Sequence, residues 1–503
     1  MNSTTRLTLI QQNDTHAQME PHWEHFWRNG RPEYRHAGGY ARAATIVRRI
    51  REETDGSAIL VDCGDTLHGT GPAQWTQGAL VVPALNAMGV ELMTPGNWEF
   101  GFGPDVLRER AAEMAFPLIA CNVERAATSE AEFPPSEVRE IGRTRVGFVG
   151  ITSPIVPQTM PRAFGAGLRF SDGIDSMQRS IADLRREDQV DLIVVVSHLG
   201  FPQEVELVKE VPGIDVLLSG HTHNRLAAPV QVGNTLLIQS GFSGSFLGRL
   251  DLEIRAGHVC GFAHQLIAVD ASVADDPATQ RVIGEQLEPY RQRLGEVVGQ
   301  TATALDRMTV LEATMDNLIT DAYRDVTGAE VAFSHGWRYG VPIPPGDVTV
   351  GDLWQMIPTD PEIFTVSMTG SQIRQRLEAS LESVYAPDPF DQKGGFVLRV
   401  SGLNAVVRLN NPKGTRVEHL DIAGAPYDAN RPYTVAAAGE QDMEHARNKQ
   451  ATGTHAIEAL RRYCVRHSPV SAELTHTKFI AVCFWFSDRV NRPRACPKRS
   501  RRS

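Results

Sequence analysis

Five times in the first 225 residues, an apolar run ends abruptly in a short polar segment that carries Asp, Asn or His. The clearest run is Leu192-Ile-Val-Val-Val196, followed at once by Ser197-His198-Leu199-Gly200. Apolar residues in unbroken succession mark a strand covered on both faces; a strand with one wet face would alternate. Candidate strands lie at 7–11, 58–61, 91–94, 118–121, 146–151, 192–196, 216–219 and 235–239. Between them, Ile174, Met177, Ile181 and Leu184 repeat at helical spacing and give one buried face. Strands alternating with helices predict an α/β architecture in which helices cover the sheets.

The polar segments are Asn13-Asp14-Thr15-His16, Gly64-Asp65, Gly96-Asn97-Trp98-Glu99, Ser197-His198-Leu199-Gly200 and Gly220-His221-Thr222-His223. Ligands of open α/β sheets bind beyond the carboxyl ends of the strands, so these loops can converge on one crevice. They bring two Asp (Asp14, Asp65), one Asn (Asn97) and four His (His16, His198, His221, His223). Oxygen and imidazole donors without thiolate suit Mn, Zn or Fe(II). In Asp14-x-His16 and His221-x-His223 a turning chain can aim both side chains at one cluster. Two metals about 3.5–4 Å apart would share a bridging carboxylate, and Asp65 is the natural bridge.

Near residue 269 the pattern changes. Val282, Ile283, Leu287, Tyr290, Leu294, Val297 and Val298 fall at helical spacing, with Pro289 as a kink. The expected division is a first domain at 1–268, a linker helix at 269–299, a second α/β domain at 300–470, and a basic tail at 471–503. The last 13 residues hold six Lys or Arg and no acid.

Charge and composition narrow the function. With 60 acidic against 50 basic residues, net −10, the chain is not built to coat nucleic acid. Six Cys in 503 residues exclude a disulfide scaffold, and Cys63 and Cys121 are expected to pack as small buried hydrophobes. The longest uncharged apolar run, 479–486, is far short of the roughly 20 residues needed to span a bilayer. No secretory signal precedes the first strand, which predicts a cytoplasmic protein, or a periplasmic one if translation starts upstream.

The order of the five motifs is similar to that of the binuclear metallophosphoesterases, and residues 7–440 resemble the 5′-nucleotidase family. The resemblance implies a four-layer metallophosphoesterase sandwich followed by a smaller α/β 5′-nucleotidase C-terminal domain. It implies one metal on Asp14, His16 and His223, a second on Asn97, His198 and His221, Asp65 bridging, and Mn or Zn as the pair. Implied too is hydrolysis of a small anionic phosphoester, a nucleotide or a relative, by a metal-bridging hydroxide. Asp65, Asn97, His198 and Arg338 would act in catalysis. Arg338, in Gly336-Trp337-Arg338, takes the place of the family's anion-gripping Arg, and Phe396 that of its first base-stacking aromatic. The second aromatic is missing from 438–443.

One departure is specific. The family's Gly-Asn-His-Glu-Phe-Asp reads Gly96-Asn97-Trp98-Glu99-Phe100-Gly101 here, so the His–Asp dyad that assists the leaving group is absent. Trp is only a donor, and His68 or Arg338 would have to substitute. A Trp here is similar to the thiosulfohydrolase branch of bacterial sulfur oxidation, SoxB. The segments Asp14-Thr-His-Ala-Gln18, Gln74-Trp-Thr-Gln-Gly78, Ser334-His-Gly-Trp-Arg338 and Asp388-Pro-Phe-Asp-Gln-Lys-Gly-Gly395 share that likeness. It implies release of sulfate from a cysteine S-sulfonate on a sulfur-carrier protein. A metal- or anion-binding homologue without turnover is the third reading.

Overall fold

In the computed structural model, residues 4–439, 443, 446–475 and 479–481 are described. Period-two alternation sorts the strand residues of the first half into three cores. Leu7 and Leu9 face one core while Ile10 faces another, and Val194 and Val196 turn away from Ile193 and Val195. The first sheet runs His258–Ala268, Phe246–Arg255, Thr5–Gln12, Ala58–Asp62, Leu92–Met93. The second runs Val230–Val232, Thr235–Ile238, Val216–Ser219, Leu192–Ser197, Thr144–Ile151, Ser136–Ile141.

The sheets pack face to face over Leu9, Val61, Phe148, Val194 and Leu218. Helices Tyr40–Glu53, Val82–Met88 and Pro277–Leu287 cover the outer face of the first sheet. Helices Ile174–Arg186 and Phe201–Glu210 cover the second. This is the four-layer α/β sandwich that the family resemblance implies, with the helix-covered sheets that the apolar runs predict. Each fully buried Val, Leu or Ile between the sheets contributes about 1.5–3 kcal/mol, so Val194→Asp would break the fold at its centre.

Three expectations need correction. Residues 118–121 are apolar but form no strand; only Leu118 makes an isolated bridge, to Met93. Their backbone N–H groups go to different partners: Ile119 to Met93, Ala120 to Pro134 and Cys121 to Gly150. The linker helix is shorter than 269–299. It begins at Pro277, where the Asp276 carboxylate accepts the Thr279 N–H at 2.9 Å, and becomes a 3₁₀ turn at Glu288–Tyr290. It ends at Leu294; Val297, 52% exposed, and Val298, 4% exposed, alternate as a strand should and belong to Val297–Thr301, paired with Gly346–Thr349. The tail is not separate from 471 on. Ala472 bonds back to Thr303, and Phe479–Ala481 pairs with Leu403–Val407. The basic run 491–503, most of 479–486 and residues 440–442 lie outside the described residues.

The second half is built on a mixed sheet in the order Phe396–Ser401, Val331–Gly336, Pro432–Ala438, Glu362–Thr369, Arg447–His455. Helices Thr314–Thr327 and Ala456–His467 pack on one face. Gly370–Tyr385, started by a capping box at Thr369 and Gln372, packs on the other. A hairpin absent from the sequence reading, His22–Arg28 with Arg31–Ala37, reaches from the first half to the second. Its His25 Nδ1 and Tyr34 hydroxyl lie 3.1 and 3.2 Å from the Asp306 carboxylate.

Candidate metal centre

The strands Thr5–Gln12, Ala58–Asp62 and Leu92–Met93 run parallel in one sheet, and Leu192–Ser197 and Val216–Ser219 in the other. Their carboxyl ends therefore open on one edge, and the five polar segments meet there. The loops turn sharply. Asp14, His16, Asp65, His221 and His223 all have φ between 48° and 70°, left-handed backbone that costs a non-glycine residue about 1–2 kcal/mol. Strain concentrated on five of seven candidate ligands marks a site whose geometry the fold imposes. Gly96 admits no side chain: a Cβ there would collide with the Asp65 carboxylate and press His198 at 2.7 Å.

The candidate ligands form two groups. Ligand atoms of Asp14, His16 and His223 lie within 4.8 Å of one another, as do those of Asp65, His198 and His221. His223 Nε2 is 3.2 Å from Asp14 Oδ1, and His198 Nε2 is 3.2 Å from Asp65 Oδ2. His198 Nε2 is also 3.9 Å from Asp14, so the groups adjoin. Asn97 is buried beside them, its Oδ1 without a hydrogen-bond donor. Backbone carbonyls orient the rings. Cys63 O accepts from His198 Nδ1 at 2.5 Å and His68 O from His16 Nδ1 at 3.2 Å, which turns both Nε2 atoms inward.

Electrostatics favour a cation here. Burial alone would raise the Asp14 carboxyl, but His223 and His198 more than reverse it and hold it below the usual range. Burial lowers His16 to about 4. Burial also opposes charge on His198, yet Asp65 and Asp14 overcome it and push His198 up to about 10. Two buried carboxylates demand positive charge, and the inward Nε2 and the free Asn97 Oδ1 are donors that divalent ions take. The residues fit a pair of metals.

Glu99 had no role in the sequence reading. Its buried carboxylate accepts N–H groups from Asp65 at 2.8, Thr66 at 2.7, Leu67 at 3.0 and Gly96 at 2.6 Å, moulding the two loops that carry Asp65 and Asn97. An acidic residue two places after a candidate ligand was its only signal.

A cleft of about 410 Å³ joins this centre to the second half. Asp65, Asn97, His16, His221 and His223 line its floor, and Arg338 and Phe396 line it from across. Burial lowers Arg338 to about 10, with Asp14 and Asp65 opposing, so it stays cationic at neutral pH. Trp98 donates its backbone N–H to Asp65 Oδ1 at 2.8 Å and stacks on His68, centroids 4.5 Å apart at 14°. Tyr339 meets Trp98 edge-on at 5.4 Å and lies 6.4 Å from His68, and Trp337 and His335 extend the aromatic wall. His68 is held flat against an indole, and burial drives it down to about 3; at neutral pH it is an uncharged imidazole, a poor acid for a leaving group. Ala438 and Gly439, which open the segment 438–443, also line the cleft.

A four-layer sandwich with two adjoining His/Asp groups at its strand ends, joined to a second domain across a cleft, defines a metal-dependent hydrolase acting on ester bonds. Residues 7–225 match the calcineurin-like phosphoesterase family and residues 297–439 the 5′-nucleotidase C-terminal domain; the chain belongs to the family that combines them. It is 26% identical over 463 residues to the trifunctional nucleotide phosphoesterase protein YfkN of Bacillus subtilis, covering 83% of this chain and 30% of that longer one. It is 24% identical to UshA of Escherichia coli, covering 94% of each. Among solved structures, the sulfate thiohydrolase SoxB of Thermus thermophilus superposes with a TM-score of 0.87 at 25% identity, over 98% of both chains. Among the described residues, no helix is long and apolar enough to cross a membrane.

Proposed function

We propose that this protein hydrolyses a phosphoester of a nucleotide or a related small anion, and does so best where the leaving group is weakly basic and departs without protonation. Asp14, His16 and His223 would hold one divalent ion, Mn or Zn, and Asn97, His198 and His221 the other, with Asp65 shared. When bound, such a pair lowers the pKa of water and neutralises charge on the phosphoryl oxygens. The chain's residues supply the rest. Arg338 grips the anion from across the cleft with a planar guanidinium, and Phe396 offers a face to the organic part. Residues 1–268 would thus carry the metals and 300–470 the grip on substrate.

Trp98 is the observation that carries the leaving-group claim. It sits between Asn97 and the aromatic wall, bonded to Asp65 through its backbone, and its indole cannot protonate a departing alkoxide. General acid assistance is worth about 10²–10⁴-fold, so esters with basic leaving groups should be poor substrates. A series of aryl and alkyl phosphates on the Mn-loaded protein tests this: log kcat/KM should fall steeply with leaving-group pKa, and a flat dependence contradicts the reading.

A second reading, sulfate release from a cysteine S-sulfonate, is favoured by the same Trp98 and by the likeness to the sulfate thiohydrolase SoxB. It needs no acid either, and hydrolysis of an S-sulfonated cysteine peptide in preference to AMP would select it.

A further inference from the structure

We infer that Asp316 is a positioning residue that sets the spacing of the two substrate-gripping elements, Arg338 and Phe396, through a buried pair of arginines. The inference rests on the placement of Arg338 and Phe396 at the substrate proposed above.

Arg307, Asp316 and Arg399 are each no more than 2% exposed. Asp316 lies in the first turn of Thr314–Thr327, where the positive helix end supports a carboxylate. One of its oxygens accepts from Arg307 Nε at 3.1 Å and the other lies 3.1 Å from Arg399 Nε. Further donors of each arginine reach the cleft wall or the loop behind it, although Arg307 Nη2 is buried without a hydrogen-bond partner. Arg307 Nη1 donates to the carbonyls of Tyr339 and Met356, both at 2.9 Å. Tyr339 follows Arg338 in the chain and supports Trp98, so its carbonyl anchors the anion grip and the aromatic wall together. Arg399 donates to Thr309 O at 2.6 Å and Val310 O at 3.1 Å, and its guanidinium covers one face of Phe396, 5.0 Å from the ring centre.

A single carboxylate therefore holds two cations that would otherwise repel, and each cation fixes one side of the grip. Cutting one partner from a buried ionic cluster leaves charge uncompensated; here that charge would drive Arg307 and Arg399 apart and carry Tyr339 and Phe396 with them. Asp316 touches neither metal ligands nor substrate, so its loss should weaken substrate capture and leave the chemical step alone.

The test is Asp316→Asn in the full-length Mn-loaded protein, with p-nitrophenyl phosphate as probe. KM should rise about 10-fold while kcat stays within 2-fold. In an Arg338→Ala/Phe396→Ala background the same substitution should change KM by less than 2-fold, because the elements it positions are gone. An equal KM factor in both backgrounds, or a loss confined to kcat, overturns the inference. If Asp316→Asn does not fold, Arg399→Lys keeps the charge and forfeits the carbonyl bonds; it should raise KM about 3-fold, and an unchanged KM overturns the inference. If Arg338→Ala/Phe396→Ala itself leaves KM at the wild-type value, the placement of substrate has failed and the inference falls with it.

Discussion

Replacing Trp98 by His, with Gly101→Asp, should turn the protein into a hydrolase of esters with basic leaving groups. The missing assistance corresponds to about 2.7–5.5 kcal/mol of barrier, from 10²–10⁴-fold in rate. The structure has room for the pair. A Cβ on Gly101 would lie 3.4 Å from Trp98 and 3.5 Å from His68, ordinary contact, and the smaller imidazole leaves space for a carboxylate beside it. Gly101 also has an ordinary backbone, since it is not among the glycines with positive φ. The cost is two ring contacts, to His68 and Tyr339, about 0.5–1.5 kcal/mol each. A chemical denaturation curve should therefore show a loss of about 1–3 kcal/mol, with the fold retained. Steady-state kinetics on AMP and p-nitrophenyl phosphate provide the assay. For AMP, kcat/KM should rise at least 10²-fold; for p-nitrophenyl phosphate, whose leaving group needs no proton, it should change less than 5-fold. Equal effects on both substrates would refute the claim that Trp98 stands where acid assistance is lost.

Glu99→Ala would strand four backbone N–H groups at the ligand loops; at about 1 kcal/mol or more each, it should lower unfolding free energy by roughly 3 kcal/mol or more and reduce metal content, read by denaturation and elemental analysis. Asp306, half-buried against the hairpin, gives an acid-limb test. Burial raises its carboxyl, but bonds from His25 and Met308 outweigh this and leave it depressed. Its contribution is therefore full above the unfolded value, near 4, and is lost as pH falls through the lower folded value. Asp306→Asn should narrow the stability difference between pH 5 and pH 3 relative to wild type; an unchanged difference would contradict a stabilising role for the ionised Asp306 carboxylate. Chelation should abolish activity and lower stability by about 2.7 kcal/mol relative to protein held at 100 times the metal Kd, measured by thermal shift with and without Mn.

The α/β layering was legible because the central strands, buried on both faces, read as unbroken apolar runs, and because each ran into a polar loop; the two-sheet sandwich came from the family resemblance. That same logic misread 118–121, where an apolar segment distributes its backbone bonds among Met93, Pro134 and Gly150. Helical spacing was extended too far, to Val297 and Val298, because a short strand of β-branched residues mimics the next helical turn. The hairpin of His22–Arg28 and Arg31–Ala37 escaped notice because its strands mix charged and aromatic residues with no clean alternation of apolar side chains. All seven candidate ligands were legible as residue types at strand ends. Glu99 and the Arg307–Asp316–Arg399 cluster were not: their partners are backbone groups and charges scattered along the chain, and only folding brings them together.

Metal stoichiometry measured together with activity, on wild type and Asp65→Ala, tests the central claim most directly. The account expects two divalent ions per wild-type chain, and simultaneous loss of bound metal and of phosphoester hydrolysis in Asp65→Ala. An Asp65→Ala protein that hydrolyses at the wild-type rate with its metals gone would contradict it.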